Sequence, residues 1–327
     1  MKAWVGERQG KQLFSQLIDL PDPVPAPHEA VIRVRAVGLN LVDRFPKRQH
    51  FQHSEPAPAV ILGMEVSGEI AAVGNAVHAY RVGDRVMAMV QGGAAQFARA
   101  HESLLMRVPA GMAWTDAAAI PVSFLTAHDA LITNGRLSTA GAVLIQGVTT
   151  AVGLAALQVA RLHGASWLGG SSRSPEKLER TRALGLNSPL LIPDAELGQK
   201  VLEATAGRGA DVVVDHLGAS VLNETLRATA MGGRVINVGR FAGVRGEIDL
   251  ELLALRRIAL IGVTFRTRSL AEHAAVVSAF MNDHAADLAS GALQPVIDRV
   301  FDFQSLPEAI TRAARGEQFG KLVLAVS

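Results

Sequence analysis

The fold is decided by a stretch in the middle of the chain, Ala142-Val143-Leu144-Ile145-Gln146 followed by Gly147-Val148-Thr149-Thr150-Ala151-Val152-Gly153. The first part predicts a buried strand, and a helix is predicted to follow from Val152 to His163. A Rossmann fold has its pyrophosphate-binding turn at such a junction, because the helix N-terminus offers unpaired N–H groups to an anion. Only Gly153 remains of the usual three glycines, with Val148 and Thr150 at the other two positions. Taken alone, the motif is equally consistent with an ordinary strand-to-helix turn.

The segments on either side of this turn strengthen the first interpretation, because strands and helices alternate regularly. Helices are predicted at Pro175–Leu184, Ala195–Ala206 and Ser220–Ala230. Continuous apolar strands separated by such helices indicate an α/β fold with a parallel, doubly wound sheet. The six predicted strands are Ala142–Gln146, Ser166–Gly170, Leu190–Ile192, Asp211–Asp215, Arg234–Val238 and Ala259–Thr264.

The two ends of the chain have a different pattern. The first 110 residues contain short strands and frequent turns, typical of a partly closed antiparallel barrel, and Thr115–Leu131 is predicted to be helical with a break at Pro121. The last 60 residues return to mixed structure. We therefore expect a substrate domain at 1–123, an inserted dinucleotide-binding domain at 124–265, and a return to the substrate domain at 266–327.

Composition limits the classes of function. The 327 residues are 49% apolar and 19% charged, an ordinary globular balance. The chain has no cysteine, which excludes disulfides, thiolate nucleophiles and cysteine-ligated zinc. The formal charge of +2 is spread along the chain, so nucleic-acid binding is not expected. The N-terminus lacks the apolar core of a secretory signal and no stretch is long enough to span a membrane, so the expected location is cytoplasmic.

The end of the second predicted strand bears on the choice of cofactor. An NAD enzyme needs an acidic residue there to bind the ribose 2′-hydroxyl. Here the sequence is Gly169-Gly170-Ser171-Ser172-Arg173-Ser174-Pro175-Glu176-Lys177, with no acid before Glu176. Arg173, Lys177 and the two serine hydroxyls suit a 2′-phosphate, which predicts NADPH. The alternative is that Arg173 and Lys177 are solvated charges at the start of a helix.

With these residues located, the chain resembles the zinc-independent quinone oxidoreductases of the medium-chain dehydrogenase/reductase superfamily. The resemblance covers essentially the whole chain. Its most specific element runs from Gly63-Met64-Glu65-Val66-Ser67-Gly68-Glu69 to Gly83-Asp84-Arg85-Val86. Further matches are Ala36-Val37-Gly38-Leu39-Asn40-Leu41-Val42-Asp43, Phe124-Leu125-Thr126-Ala127-His128, Gly153-Leu154-Ala155-Ala156-Leu157-Gln158 and Phe319-Gly320-Lys321-Leu322-Val323-Leu324.

The resemblance implies a GroES-like β-barrel that carries the substrate cleft, an inserted six-stranded Rossmann domain, and NADPH between the domains. It implies that Asn40 and Asp43 lie beside the nicotinamide as the candidate catalytic residues. Thr149, Thr150, Ala151, Val152 and Gly153 form the predicted pyrophosphate turn. Residues implied to line the cofactor groove are Thr126, Asn237, Gly239, Phe241, Val263, Thr264, Phe265 and Lys321.

The sequence departs from the family at several positions. Zinc alcohol dehydrogenases have a cysteine ligand in the loop that reads Val37-Gly38-Leu39-Asn40 here, and a histidine ligand where Met64 stands, so no metal site is predicted. His50 and His53 are interpreted as surface residues. Phe45 replaces a tyrosine that often lines the site, which removes a phenolic proton donor. The only tyrosine, Tyr80, is interpreted as structural.

The predicted activity is metal-free hydride transfer from NADPH to a quinone or another electron-poor carbonyl acceptor. Asn40 is the first candidate to donate a hydrogen bond to the acceptor oxygen, with Lys47 and Arg48 as weaker candidates. The alternatives are a 2-alkenal or enoyl reductase with the same cofactor, and a non-catalytic, crystallin-like NADPH-binding protein. Relatives commonly dimerise through the Rossmann sheet edge, here Ala259–Phe265, so a homodimer is expected. The physiological acceptor is not identifiable from the sequence.

Overall fold

The computed structural model describes residues 1–9, 12–40, 60–193 and 195–327. The chain divides into two compact units. The first unit comprises Met1–Val122 and Arg268–Ser327, and the second comprises Ser123–Thr267. Asp43, Phe45, Lys47, Arg48, His50 and His53 lie outside the described residues.

The first unit is built mainly from antiparallel strands. Its larger sheet has the order β15-β16-β3-β5-β6-β8, with β7 paired to the other end of β3, and a smaller sheet has the order β2-β1-β4. The strands are β1 (Lys2–Gln9), β2 (Gln12–Asp19), β3 (Glu29–Leu39), β4 (Val60–Ile61), β5 (Glu65–Val73), β6 (Arg85–Met89), β7 (Phe97–His101), β8 (Leu105–Arg107), β15 (Ile297–Asp302) and β16 (Lys321–Ala325).

The core of this unit follows from the long central strand β3, in which eight of eleven residues are buried. Ile32, Val34 and Val37 lie in one apolar cluster with Ile70 of β5 and Leu324 of β16. The pairing of β16 with β3 places Leu322 opposite Leu39, and β5 pairs on the other side with Glu65 opposite Gly38. The ends of three strands that are distant in sequence therefore meet at Asn40, which follows β3 directly.

In the part of the chain that the structure describes, four α-helices belong to the first unit wholly or in part. The helical segment predicted over Thr115–Leu131 has its predicted break before Pro121, and only its last part differs, as a π-helical turn at Asp129–Asn134. The break falls at Ala119 and Ile120, immediately before Pro121, as expected from the restriction that proline imposes on its predecessor. The helices are α1 (Trp114–Ala118), α2 (Pro121–His128), α8 (Leu270–Ser290) and α9 (Leu306–Arg315).

The second unit contains the predicted parallel sheet. Its six strands have the order β11-β10-β9-β12-β13-β14, and every pair is parallel. The strands are β9 (Ala142–Gln146), β10 (Trp167–Ser172), β11 (Ser188–Leu191), β12 (Ala210–Asp215), β13 (Thr229–Asn237) and β14 (Ala259–Gly262). In order of sequence this is 3-2-1-4-5-6, which is the Rossmann order. The α/β fold class with a six-stranded doubly wound sheet is confirmed.

The helices of the second unit are α3 (Ala151–Leu162), α4 (Pro175–Arg182), α5 (Leu197–Ala204), α6 (Leu222–Ala228) and α7 (Leu250–Leu255). Several boundaries differ from the prediction, most of them by one or two residues, and β13 begins at Thr229, five residues before the predicted Arg234. The last strand ends at Gly262 rather than Thr264, and α6 begins at Leu222 after a short 3-10 turn. In the described ranges, no helix is long and apolar enough to cross a lipid bilayer.

Candidate functional site

The turn after β9 has the geometry of an anion-binding loop. Gly147 has a φ of +78°, a left-handed conformation that glycine adopts without steric cost. A Cβ at Gly153 would lie 2.6 Å from the Gly147 carbonyl oxygen. Gly153 therefore permits α3 to start against the turn, which is the role of the third glycine in a dinucleotide-binding loop. Gly147, one residue before the first position that the spacing assigned, supplies the tight turn.

Thr150 caps α3 rather than pointing a free hydroxyl outward. Its Oγ1 accepts a hydrogen bond from the Gly153 N–H at 3.0 Å and donates to the Gly147 carbonyl oxygen at 2.9 Å. The N–H groups of Ala151 and Val152 are the first two of the helix, and helix geometry leaves such groups without an intrahelical acceptor. The turn therefore offers backbone donors to an anion, and the threonine hydroxyl holds them in place.

Ser171 and Ser172, at the end of β10, play different parts. Ser171 is fully buried, and its hydroxyl donates to the Gln146 side chain and accepts from the Gly147 N–H at 3.2 Å. Ser172 Oγ lies 3.2 Å from Thr149 Oγ1. Ser171 therefore stabilises the turn from the buried side, whereas Ser172 connects the turn to the loop that follows β10.

Arg173 and Lys177 flank the start of α4. Arg173 is exposed and Lys177 is half-buried. Ser174 caps the helix by accepting from the Lys177 N–H at 3.3 Å, with Pro175 in the first turn. The cap fixes where the loop ends and the helix begins, so Arg173 lies between the end of β10 and the capping residue Ser174 and carries its charge at the carboxyl edge of the sheet.

The loops after β12 and β13 are organised by the carboxylate of Asp215, which is fully buried. Asp215 Oδ1 accepts from the backbone N–H groups of Leu217 and Gly218, at 2.9 and 3.0 Å. Asn237 donates from Nδ2 to Asp215 Oδ2 and to the Gly239 carbonyl oxygen, both at 3.1 Å. Asn237 and Gly239 are thus held together at the carboxyl edge of the sheet.

His216 lies beside the turn, where a Cβ on Gly147 would come within 3.4 Å of the His216 Cβ. Its Nδ1 donates to the Gln146 carbonyl oxygen at 2.8 Å. Burial lowers the pKa of the imidazole from its usual 6.5, against the opposing effect of that hydrogen bond. Nε2 is buried and has no hydrogen-bond partner among the described residues. The ring is therefore neutral at pH 7.

The remaining predicted cofactor residues of this unit have mixed environments. Thr126 on α2 and Val263 after β14 are buried, whereas Thr264 and Phe241 are exposed and Phe265 is half-buried. The Phe241 N–H donates to the His216 carbonyl oxygen at 3.1 Å, which fixes that loop to the end of β12.

The first unit contains a cluster of charged and amide groups that joins Asn40 to Lys321. Lys321 Nζ donates to Asn40 Oδ1 at 2.8 Å and forms an ion pair with Glu65. Asn40 Nδ2 donates to Glu65 Oε1 at 2.9 Å, and the Val122 N–H donates to Glu65 Oε2 at 2.7 Å. Glu65 is 0% exposed and Lys321 is 2% exposed. The structure therefore brings Asn40 and Lys321 together through a third residue.

Sequence reasoning did not identify three residues of these sites as functional candidates, namely Glu65, Gly147 and Asp215. Glu65 stood within a family motif, and its only signal was an acid at the start of an apolar strand. Gly147 gave a signal as a glycine at the end of a buried strand. Asp215 also ends a buried strand, where an acidic side chain needs donors.

Tyr80 is in the first unit, where its phenol donates to the Leu105 carbonyl oxygen at 2.7 Å. The Arg107 guanidinium lies 4.8 Å from the centre of its ring. Burial raises the pKa of the phenol, although Arg107 opposes this. These contacts tie Tyr80 to strand β8, so its side chain has a structural role within the barrel.

A 3-2-1-4-5-6 parallel sheet with an anion-binding turn after its first strand defines the class of dinucleotide-binding proteins. Comparisons with known proteins agree. Residues 26–127 match the alcohol dehydrogenase GroES-like domain and residues 151–282 match the zinc-binding dehydrogenase family.

Relatives match over the full length. A quinone oxidoreductase of Pongo abelii is 28% identical over 323 residues, which is 98% of this chain and 96% of the relative. The solved quinone oxidoreductase of Thermus thermophilus is 32% identical with a TM-score of 0.84, covering 99% of this chain and all of the other. At the level of fold alone, the CurK enoyl reductase has a TM-score of 0.84 at 23% identity. The chain belongs to the quinone oxidoreductase family of the medium-chain dehydrogenase/reductase superfamily, and it is an oxidoreductase.

Proposed function

We propose that the protein transfers hydride from NADPH, without a catalytic metal, to a quinone or another electron-poor α,β-unsaturated carbonyl acceptor. Two features carry the proposal. One is the turn after β9, residues 147–153, called here the nucleotide turn, and the other is the loop between β10 and α4. The turn offers the N–H groups of Ala151 and Val152 to a pyrophosphate, and the loop offers Arg173 where an NAD enzyme would have an acid. The solved Thermus relative is described in complex with NADPH.

The residues of the second unit fit such a cofactor. Phosphate groups suit a helix N-terminus and an arginine, because both present N–H donors and positive charge. Ser172 and Lys177 would accompany Arg173 at the 2′-phosphate, and Ser171 would hold the turn from behind. The residues proposed to line the rest of the groove are Thr126, Thr149, Thr150, Gly153, Asn237, Gly239, Phe241, Val263, Thr264 and Phe265.

When bound, reduced nicotinamide supplies the hydride, which is one proton with two electrons. The protein must then meet the negative charge that develops on the acceptor oxygen. Asn40 is the proposed donor to that oxygen through its carboxamide nitrogen. Asp43 is proposed to orient its neighbours, and the proton that completes the reduction is proposed to come from water. The bond from Tyr80 to Leu105 supports leaving that phenol out of the chemistry.

The proposal is metal-free because the donor set of the chain suits zinc poorly. A catalytic zinc takes three protein ligands from cysteine, histidine and carboxylate groups. The chain has no cysteine, and Met64 stands where zinc-dependent members have a histidine. The half-buried carboxamide of Asn40, with its charged neighbours, is the group proposed to act in place of a metal.

A homodimer is also part of the proposal. Strand β14 is at the end of the six-stranded sheet, so one side of it has no strand partner among the described residues. Leu260 on this strand is exposed. Pairing of two copies across a two-fold axis would give the open edge a partner.

The activity is tested with purified protein, NADPH and two acceptors, a simple benzoquinone and a 2-alkenal, in the presence and absence of a chelator. We expect NADPH oxidation with the quinone that is unchanged by the chelator. Faster turnover of the 2-alkenal would assign the protein to the alkenal reductases. Binding of NADPH with no oxidation by either acceptor would instead support the non-catalytic alternative. Loss of one bound zinc together with activity would refute the metal-free mechanism.

Cofactor choice is tested by Arg173→Ala. A charge-assisted hydrogen bond is worth about 1.5–3 kcal/mol, which corresponds to roughly 10- to 150-fold in affinity. The variant should lose about that factor for NADPH and bind NADH as before, as measured by titration of NADPH and NADH fluorescence. Arg182→Ala, at the far end of α4, is the matched control. Equal weakening of both cofactors would mean that Arg173 shapes the adenine site, and an unchanged NADPH affinity in Arg173→Ala, Lys177→Ala would exclude the assignment.

A further inference from the structure

The cluster of Asn40, Glu65 and Lys321 is a built site inside the first unit. A Cβ at Gly38, the residue opposite Glu65 in the sheet, would lie 2.6 Å from Glu65 Oε1 and 2.3 Å from the Ala118 carbonyl oxygen. The missing side chain at Gly38 thus makes room for the carboxylate. Both carboxylate oxygens have donors, from Asn40 and Lys321 on one and from Val122 on the other.

The two charges determine which way round the Asn40 carboxamide lies. Its oxygen accepts from the Lys321 ammonium and its nitrogen donates to the Glu65 carboxylate. Turning the amide over would bring its oxygen against a carboxylate and its nitrogen against an ammonium. An amide nitrogen carries two hydrogens, so a bond from one of them to Glu65 also sets the direction of the other.

The Lys321 ammonium also polarises the amide. A cation at the amide oxygen draws electron density from nitrogen towards oxygen, which strengthens the N–H groups as donors, whereas the Glu65 carboxylate fixes the orientation of the amide. Hydrogen bonds in a chain strengthen one another in this way when the local dielectric constant is low. Because Glu65 and Lys321 are almost completely buried, water does little to screen this effect.

We propose that Glu65 and Lys321 are positioning residues, which hold the Asn40 carboxamide with its nitrogen as a polarised donor towards the acceptor oxygen. The inference rests on the proposed function for the role of Asn40. It assigns Lys321 a task other than binding the cofactor directly, because its ammonium is buried between Asn40 and Glu65. A buried ion pair gives little net stability compared with apolar residues of the same shape, so stability alone does not explain this cluster.

The test removes both charges together. Glu65→Gln with Lys321→Met keeps the side-chain lengths and leaves no unpaired charge in the core. The control is Arg35→Met with Glu69→Gln, which removes another ion pair between β3 and β5, with 3.0 Å between Arg35 Nη2 and Glu69 Oε2. We expect kcat with the quinone to fall about 10- to 100-fold in the first double variant, less than the 10²–10³-fold that loss of an oxyanion donor costs. NADPH affinity should stay within about twofold in both double variants, and the control should keep its kcat.

Asn40→Ala decides whether the pair acts through Asn40. Adding Glu65→Gln and Lys321→Met to Asn40→Ala should cause no further loss of kcat, because coupled groups are non-additive. A full additional loss, an unchanged kcat in the double variant, or weaker NADPH binding with kcat retained would each overturn the proposal. The last result would identify Lys321 as a cofactor ligand.

A measurement on the wild-type protein separates this inference from the proposed function. The ¹⁵N–¹H resonances of the Asn40 side chain are assigned by their absence in Asn40→Ala. One amide proton should be shifted downfield by its bond to Glu65, and the shift should disappear in the double variant. If no acceptor is turned over, the proposed function fails while this result still reports the orientation. Two unshifted amide protons in the wild-type protein would overturn the inference even if the double variant did not fold.

Discussion

The nucleotide turn and the Asn40 cluster are both polar sites, but they hold their donors by different means. At the turn, the donors are backbone N–H groups, and neutral hydroxyls such as that of Thr150 keep them in place. In the cluster, the donor is a side chain held by two buried charges, Glu65 and Lys321. A backbone site depends on the path of the chain and tolerates changes of side chain. A charged side-chain site depends on the identity of each residue.

The largest effect on stability is expected when only one of the two buried charges of the cluster is removed. Lys321→Met leaves the Glu65 carboxylate buried without its cation, and removing one partner of a buried pair costs about 3–5 kcal/mol. Urea unfolding should show this loss in the free energy of unfolding. Adding Glu65→Gln should recover most of it, because no unpaired charge remains. If the double variant were as unstable as the sum of both single variants, the two side chains would stabilise the fold independently.

A smaller effect is expected from Gly153→Ala at the turn. The new Cβ would lie 2.6 Å from the Gly147 carbonyl oxygen and 2.7 Å from that of Val148, both backbone atoms. The turn must open to admit it, at a cost of about 1–3 kcal/mol, and NADPH affinity should fall with it. Gly262→Ala is the control, since a Cβ there meets nothing within 4 Å. Unchanged NADPH affinity in Gly153→Ala would show that the path of the turn is less critical than we infer.

The smallest effect expected is the pH dependence of stability that His216 causes beside the nucleotide turn. Burial lowers the pKa of His216 in the folded protein, whereas in the unfolded chain the imidazole takes a proton below its usual 6.5. The unfolded state therefore binds more protons, and the contribution of His216 to stability is lost as pH falls below 6.5. Between pH 7.5 and 5.5 the free energy of unfolding should fall more in the wild-type protein than in His216→Gln. Parallel pH profiles for the two proteins would contradict this.

The same contrast explains what could be predicted from the sequence. The six strands of the second unit could be located because buried parallel strands are continuous apolar runs, although the start of β13 was placed five residues too late and the end of β14 two residues too late. The turn was recognised from its position, although its glycine pattern is degraded, because backbone donors do not need a particular side chain. The spacing did not locate the positive φ at Gly147, since three glycine positions were assumed in a fixed register.

The Asn40 cluster was harder to predict for a physical reason. Asn40 and Lys321 were recognised from separate motifs, each as a cofactor or acceptor contact. Their partner Glu65 gave only the weak signal of an acid at the start of an apolar strand, because the pairing of β3 with both β5 and β16 decides which side chains meet. That pairing joins residues 281 positions apart, from Asn40 to Lys321, and periodicity within a short window carries no information about it.

The long sequence separation between β3 and β16 has a consequence for biosynthesis. A ribosome adds about 5–20 residues per second, so roughly 15–60 s pass between the synthesis of Asn40 and that of Lys321. During this time all six strands of the second unit have emerged, whereas β3 of the first unit still lacks its neighbour β16. Glu65 then lacks the Lys321 ammonium, and Ala36–Leu39 at the end of β3 lack a strand partner on the edge that β16 will occupy. Chaperones that bind nascent chains would thus find their longest-lived target in the barrel and not in the inserted unit.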